Sequence, residues 1–180
     1  MDTTNIERYL NSFGKQVVNR SKGNLQRAKG GGTALEGSIK FKVIPDSDGF
    51  SIQFFMLDYG TYVDKGVSGT KQIQKYKDYL GKIINSPHKY RNAKGHSQPP
   101  SSALDKWAVK KGIAPRDVKG RFIKRKTLTY LIARSIGRNG IKSIAFFQKP
   151  LGLGMKQFGK DLLGNVKEDI VDSLTQTQVS

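Results

Sequence analysis

Ile39-Lys40-Phe41-Lys42-Val43-Ile44-Pro45-Asp46-Ser47-Asp48-Gly49-Phe50-Ser51-Ile52-Gln53-Phe54-Phe55-Met56-Leu57 is the stretch that decides the fold class. Ile39, Phe41 and Val43 alternate with Ser38, Lys40 and Lys42, and Phe50, Ile52 and Phe54 alternate with Ser51 and Gln53. A period of two places the apolar side chains on one face of a strand. Residues 45–49 are turn formers, so strands over 35–44 and 50–57 are expected to close a β-hairpin. The wholly apolar run 54–57 predicts burial on both faces at that end.

Upstream, Ile6, Tyr9, Leu10, Phe13 and Val17 recur at helical period, which predicts an amphipathic helix over 4–22. Thr3, Thr4 or Asn5 can cap it, and Gly23 is the expected stop. Gly30-Gly31-Gly32 is a flexible joint. It lacks the Gly-Lys-Ser/Thr ending and the preceding strand that a phosphate-binding loop requires. Downstream, Asp58 to Gly66 predicts a short helix or tight turn. Residues 67–101 are rich in Lys, Gly, Ser, Pro and Tyr, with Ile73, Tyr76, Leu80, Ile83 and Ile84 spaced for a short amphipathic helix. Residues 85–102 predict a long, exposed, mobile loop.

A helix is expected from about Ser102 to Gly112. A second is expected over 124–138, with Leu128, Leu131, Ile132, Ser135 and Ile136 on one stripe. The last is expected over 151–174, with Met155, Phe158, Leu162, Val166, Ile170 and Leu174 in register. Asp161, Glu168, Asp169 and Asp172 make that tail locally acidic, and residues 175–180 are expected to be disordered. The order helix, hairpin, loop, helices predicts an α+β fold. An antiparallel, hairpin-based sheet packs against N-terminal, central and C-terminal helices, and a long basic loop stays exposed. With 180 residues, the length fits one domain over 1–180, with 67–101 as an extended arm.

The chain carries a net charge of +18, unevenly placed. Residues 65–142 hold 20 Lys/Arg against three acids, Asp78, Asp105 and Asp117, for a net +17. Such a block attracts nucleic acid, acidic protein or anionic lipid. Its densest part, 119–126, places Lys119, Arg121, Lys124, Arg125 and Lys126 around Phe122 as a candidate DNA- or partner-contacting patch. Cations at a helix start oppose the macrodipole, so a compensating partner is expected there. Tyr76, Tyr79 and Tyr90, interleaved with lysines, are candidates for base stacking and equally for core or interface.

Catalytic chemistry finds little to work with. There is no Cys, hence no disulfide, thiolate zinc site or thiol nucleophile. His88 and His96 are eight apart in a loop, where a helical zinc pair needs four, and read as solvated. No nucleophile-elbow Gly-X-Ser-X-Gly occurs. Pro45-Asp46 begins no complete metal-nuclease motif, because Asp64-Lys65 has the wrong spacing and the second strand holds no acid. No catalytic residue, metal or cofactor is expected. The N-terminus has no basic and then apolar run, so a signal peptide is not expected, and no apolar run approaches a membrane span.

Two segments bear a resemblance. Asp58-Tyr59-Gly60-Thr61-Tyr62-Val63-Asp64-Lys65-Gly66 is one. Leu131-Ile132-Ala133-Arg134-Ser135-Ile136, followed by Gly140-Ile141-Lys142 and Phe146-Phe147-Gln148-Lys149-Pro150-Leu151, is the other. In this order, between an N-terminal helix with hairpin and a C-terminal amphipathic helix, they resemble the HK97 gp10-like phage neck and tail-completion family, with 67–101 expanded. The resemblance implies a virion component assembled in the host cytoplasm, and a ring-forming adaptor between head–tail connector and tail tube. Such rings are hexameric where they act as tail terminators. It implies no catalysis, no cofactor, no small molecule and no membrane. It marks Asp58, Tyr59, Gly60, Tyr62, Gly66, Phe146, Phe147 and Pro150 as motif or interface residues. The implied partners are the chain itself, connector and tube proteins, and packaged DNA in the channel. The composition alone supports an alternative, a free nucleic-acid-binding protein without sequence preference.

Overall fold

The computed structural model of the chain describes residues 4–46, 49–90, 98–114 and 116–177, with side-chain surroundings through Val171. Thr3, Ser47, Asp48, residues 91–97 of the expected loop 85–102 with His96, and the tail 178–180, all named above, lie outside the described residues. The elements are α1 (Thr4–Lys29), α2 (Ala34–Ser38), β1 (Lys40–Asp46), β2 (Gly49–Phe55), α3 (Gly60–Lys65), β3 (Lys75–Lys77), β4 (Ile83–Asn85), α4 (Ser101–Lys110), α5 (Arg125–Asn139) and α6 (Gln148–Thr177). The fold class is α+β with hairpin sheets. Where length suggests one domain, the chain divides into two compact units. Unit 1 is Met1–Asp64, Lys77–Ile83 and Ile144–Ser180; unit 2 is Lys65–Tyr76 and Ile84–Ser143.

Unit 1 is built on the expected hairpin. β1 and β2 pair antiparallel with Phe41 opposite Phe54, Val43 opposite Ile52 and Pro45 opposite Phe50. One face packs on α1, and the other meets solvent. Phe55 and Leu57 are therefore exposed, contrary to the two-sided burial expected of 54–57. Residues 34–38 form α2 in place of the first strand's start. Thr33 Oγ1 accepts from Glu36 N at 3.2 Å and caps that turn.

The first helix does not stop at Gly23. A glycine in a helix interior costs about 1 kcal/mol, and burying Leu25 on the same stripe as Val18 outweighs that. The helix ends at Gly30, whose φ of +81° suits glycine. Val18, Leu25, Leu35, Ile39 and Phe146 form the core. Beside the expected cap at Thr3, Thr4 or Asn5, of which Thr3 lies outside the described residues, the start of α1 takes a carboxylate from far along the chain. The buried carboxylate of Asp169 in α6 accepts from Asn5 N (3.1 Å) and Ile6 N (3.0 Å). Phe158 of α6 stacks edge-on against Phe13 at 4.8 Å. The remaining α6 stripe lines an open apolar groove of about 600 Å³ with α1 and β2.

In unit 2, α4 and α5 pack on each other, and each buries a small side chain, Ala108 and Ala133. The central helices thus pair together within their own unit. The inner face of α5 is Thr129, Ala133 and Gly137, while Leu131 and Ser135 of the expected stripe are exposed. Small residues win that face because backbone lies against it. Thr70 N donates to Gly137 O and Lys71 N to Arg138 O, both at 2.9 Å. The helix expected around 73–84 is absent. In the 77–83 segment, which belongs to unit 1, Asp78 Oδ1 accepts from Lys82 N at 2.7 Å and Gly81 takes a φ of +89°, so a tight turn joins β3 to β4; Ile73, Leu80 and Ile83 are exposed. Within the segment 67–101, expected as an extended loop or arm, backbone pairs join Ser68 N to His88 O at 2.7 Å and Tyr90 N to Ser68 O at 2.9 Å.

Candidate functional site

The two segments that carry the resemblance meet in space. Asp58 starts the tight turn into α3, where Thr61 N and Oγ1 donate to its carbonyl. Gly60 is buried because Leu35 Cδ1 and Met56 Sδ lie 2.9 and 2.7 Å from where a Cβ would stand. Tyr59 and Tyr62 are about half exposed on the outer side of the helix. At its end Asp64, only 3% exposed, accepts through Oδ1 from Phe147 N at 2.8 Å and Gln148 N at 3.4 Å. Its carbonyl accepts from Ala145 N at 3.0 Å, and Val63 O from Ile144 N at 3.1 Å. A buried carboxylate 83 positions away thus caps the start of α6.

Ala145 has a φ of +50°, an uncommon left-handed conformation that these bonds hold in place. The turn drives Phe146 into the core at 0% exposure, and Pro150 lies fully buried in the first turn of α6, where no amide hydrogen is missed. Phe147 meets Phe54 edge-on at 5.3 Å. Gly66 takes a φ of +76° with backbone of Ser143 and Ile141 within 2.8 Å of a hypothetical Cβ. Beside it Val67 and Ile141 exchange both backbone hydrogen bonds, at 2.9 and 2.8 Å.

The charge separates by unit. Unit 2 holds 18 Lys/Arg and two acids, a net +16, and unit 1 holds 14 against 12, a net +2. The predicted patch straddles a turn and a helix start. Arg116 and Phe122 bridge as antiparallel partners, with the Arg116 guanidinium 4.0 Å over the Phe122 ring. Asp117 ties the turn by accepting from Lys119 N, Arg121 N and Arg121 Nε, each at 2.9 Å. The backbone N–H of Arg121 above all holds the Asp117 carboxyl below the usual carboxylate range, with the Arg121 side chain and Lys119 N–H adding to it. The anchor is lost only as pH falls through that lowered value. Lys124 caps α5 with no side-chain hydrogen bond, and the first turn holds no acid. Arg125 pairs with Asp105 of α4 at 2.7 Å. Lys119, Arg121, Lys124, Arg125 and Lys126 are all exposed, but Arg121 and Arg125 already hold carboxylates.

Comparison with protein-family models, curated proteins and solved structures returns no match. The arrangement is therefore read from its own chemistry. Tyr76 is buried at 8% exposure in unit 2, so it belongs to the core and offers no stacking platform, while Tyr79 stays exposed. His88 is half-buried, where a solvated ring is expected. Burial, with Lys65 adding to it, pushes its imidazole below the usual value, which favours the neutral ring. Among the described residues no three of His, Asp or Glu gather as a metal site, and no helix is long and apolar enough to cross a membrane.

A second basic cluster escaped the sequence. Lys71, Arg134 and Arg138 border an open depression of about 290 Å³ together with Leu131, Ser135 and Asn139. Arg134 and Arg138 are four apart on one helix, which the sequence does show. Lys71 arrives only because the 69–72 backbone lies on the end of α5.

Proposed function

We propose that the chain is a structural subunit of a tailed-phage virion. It acts as a ring-forming adaptor of the tail-completion or terminator type at the head–tail neck or tail end, joining connector to tail tube without catalysis or cofactor. The observation that carries this reading is the Asp64 junction. Segments resembling one family in their order along the chain are bonded to each other through a buried carboxylate. Binding then falls to the outer surfaces. Tyr59 and Tyr62 face outward from the first segment, and the +16 unit supplies a one-signed surface for packaged DNA or an acidic ring. That same charge favours a second reading, a free nucleic-acid-binding protein.

Gene deletion in the producing phage tests the first reading. The expected outcome is DNA-filled heads and separate tails that do not join, with joining restored by the added protein. Normal yields of joined particles contradict it.

A further inference from the structure

We infer that the depression bordered by Lys71, Arg134 and Arg138 is a seat for a backbone phosphate of nucleic acid, bound without regard to base sequence. The inference goes beyond the neck-adaptor reading and needs only unit 2. Arg134 and Arg138 stand at i and i+4 on α5, an arrangement that like-charge repulsion disfavours. Lys71 adds a third cation from the neighbouring loop. Its N–H donates to Arg138 O at 2.9 Å, Gln72 N donates to the same oxygen at 3.2 Å, and Thr70 N takes Gly137 O. Gln74 Nε2 takes Asn139 O at 2.6 Å.

These bonds occupy the last carbonyls of the helix, so the anion-repelling end of α5 is covered by donors. Gly69 makes the approach possible, because a Cβ there would stand 2.3 Å from Arg138 O. Backbone bonds thus bring the loop that carries Lys71 onto the end of the helix that carries Arg134 and Arg138, and the three side chains border one depression. Ser135 and Asn139 also border the depression, where Asn139 Nδ2 donates to Ser135 Oγ at 3.2 Å and so leaves the Ser135 hydroxyl hydrogen to donate outward.

No carboxylate of unit 2 is left to neutralise the site. The unit has two acids, and Asp105 holds Arg125 while Asp117 holds Arg121. Guanidinium forks and an ammonium around hydroxyl and amide donors are the chemistry of phosphate binding. The depression is open, which suits a phosphate within a continuous chain, and the surrounding +16 unit draws a polyanion toward it. Exposed Leu131 at its edge offers an apolar wall to the adjoining sugar.

The test is a salt titration of binding to a short labelled duplex by fluorescence anisotropy. It compares the full chain with the triple variant Lys71→Gln, Arg134→Gln, Arg138→Gln. A control of equal charge change, Lys15→Gln, Arg20→Gln, Lys29→Gln, alters exposed positions of α1 in unit 1. The expected result is an affinity about tenfold lower for the triple variant at low salt, and a slope of log K against log salt reduced by about one. The control is expected to keep the wild-type slope. Wild-type binding by the triple variant, an equal loss in the control, or absence of duplex binding overturns the inference. So does saturable calorimetric binding of inorganic phosphate alone as tight as that of the duplex, which assigns the seat to free phosphate. Matching circular dichroism melts establish that the variants fold. If the triple variant does not, Lys71→Gln alone, on the exposed loop, carries the same comparison with a smaller loss expected and wild-type binding still decisive.

Discussion

Phe146→Ala will lower the unfolding free energy of unit 1 by about 3–5 kcal/mol, the range for truncating a fully buried aromatic. Phe146 is 0% exposed and packs with Val18, Leu25, Leu35 and Ile39, so the lost ring leaves a cavity walled by α1, α2 and the chain entering β1. Those walls are held by the α1 cap on Asp169 and by the hairpin register, which limits collapse into the hole. A domain is stable by about 5–15 kcal/mol, so the loss consumes a large part of the margin. Urea unfolding followed by far-UV circular dichroism reads it as a midpoint lower by about 2 M, taking a slope of about 2 kcal/mol per M. Phe146→Leu, which keeps most of the volume, is expected to cost under about 1.5 kcal/mol. Equal midpoints for the Ala variant and the wild type would remove Phe146 from the core.

The second large effect lies in unit 2. Gly140 ends α5 at φ +77° and ψ −162°, a conformation open essentially to glycine alone. A Cβ there would also stand 2.0 Å from Val67 O and 2.7 Å from Gly69 N. Gly140→Ala therefore strains the backbone by about 1–3 kcal/mol. It also forces apart the Val67–Ile141 pair, worth about 1 kcal/mol per bond. A total near 3 kcal/mol or more is expected. The chain's single tryptophan, Trp107 in α4, reports it as an earlier fluorescence transition. Hydrogen exchange at the Val67 and Ile141 amides should accelerate in step. Unchanged exchange there would mean that the pair does not hold the end of α5.

These effects also show what was legible in the sequence. The hairpin was, because alternation and turn formers are local signals and the register follows from them. The helices α4 and α5 were, because Gly112 and Gly140 punctuate them. The end of α1 was missed because a mid-helix glycine is a weak local signal and the burial of Leu25 is a tertiary one. The stripe over 73–84 misled because apolar spacing outvoted Asp78, whose carboxylate closes the turn. Asp64 stands out in the sequence only as part of the 58–66 segment, and Asp169 only as one acid of the tail, yet each caps a helix distant in sequence, and no spacing rule pairs positions 64 and 147 or 5 and 169. The basic patch at 119–126 was legible as charge. That Arg121 and Arg125 spend their charge on Asp117 and Asp105, while Lys71 joins Arg134 and Arg138, depends on contacts that only the folded chain makes.

The central claim is assembly. Native mass spectrometry of the purified protein, alone and with connector and tail-tube proteins, measures it most directly. A closed ring of the 20.0 kDa subunit is expected, six copies under the family resemblance, formed alone or on the partner. A strict monomer at high concentration that also binds neither partner would contradict it.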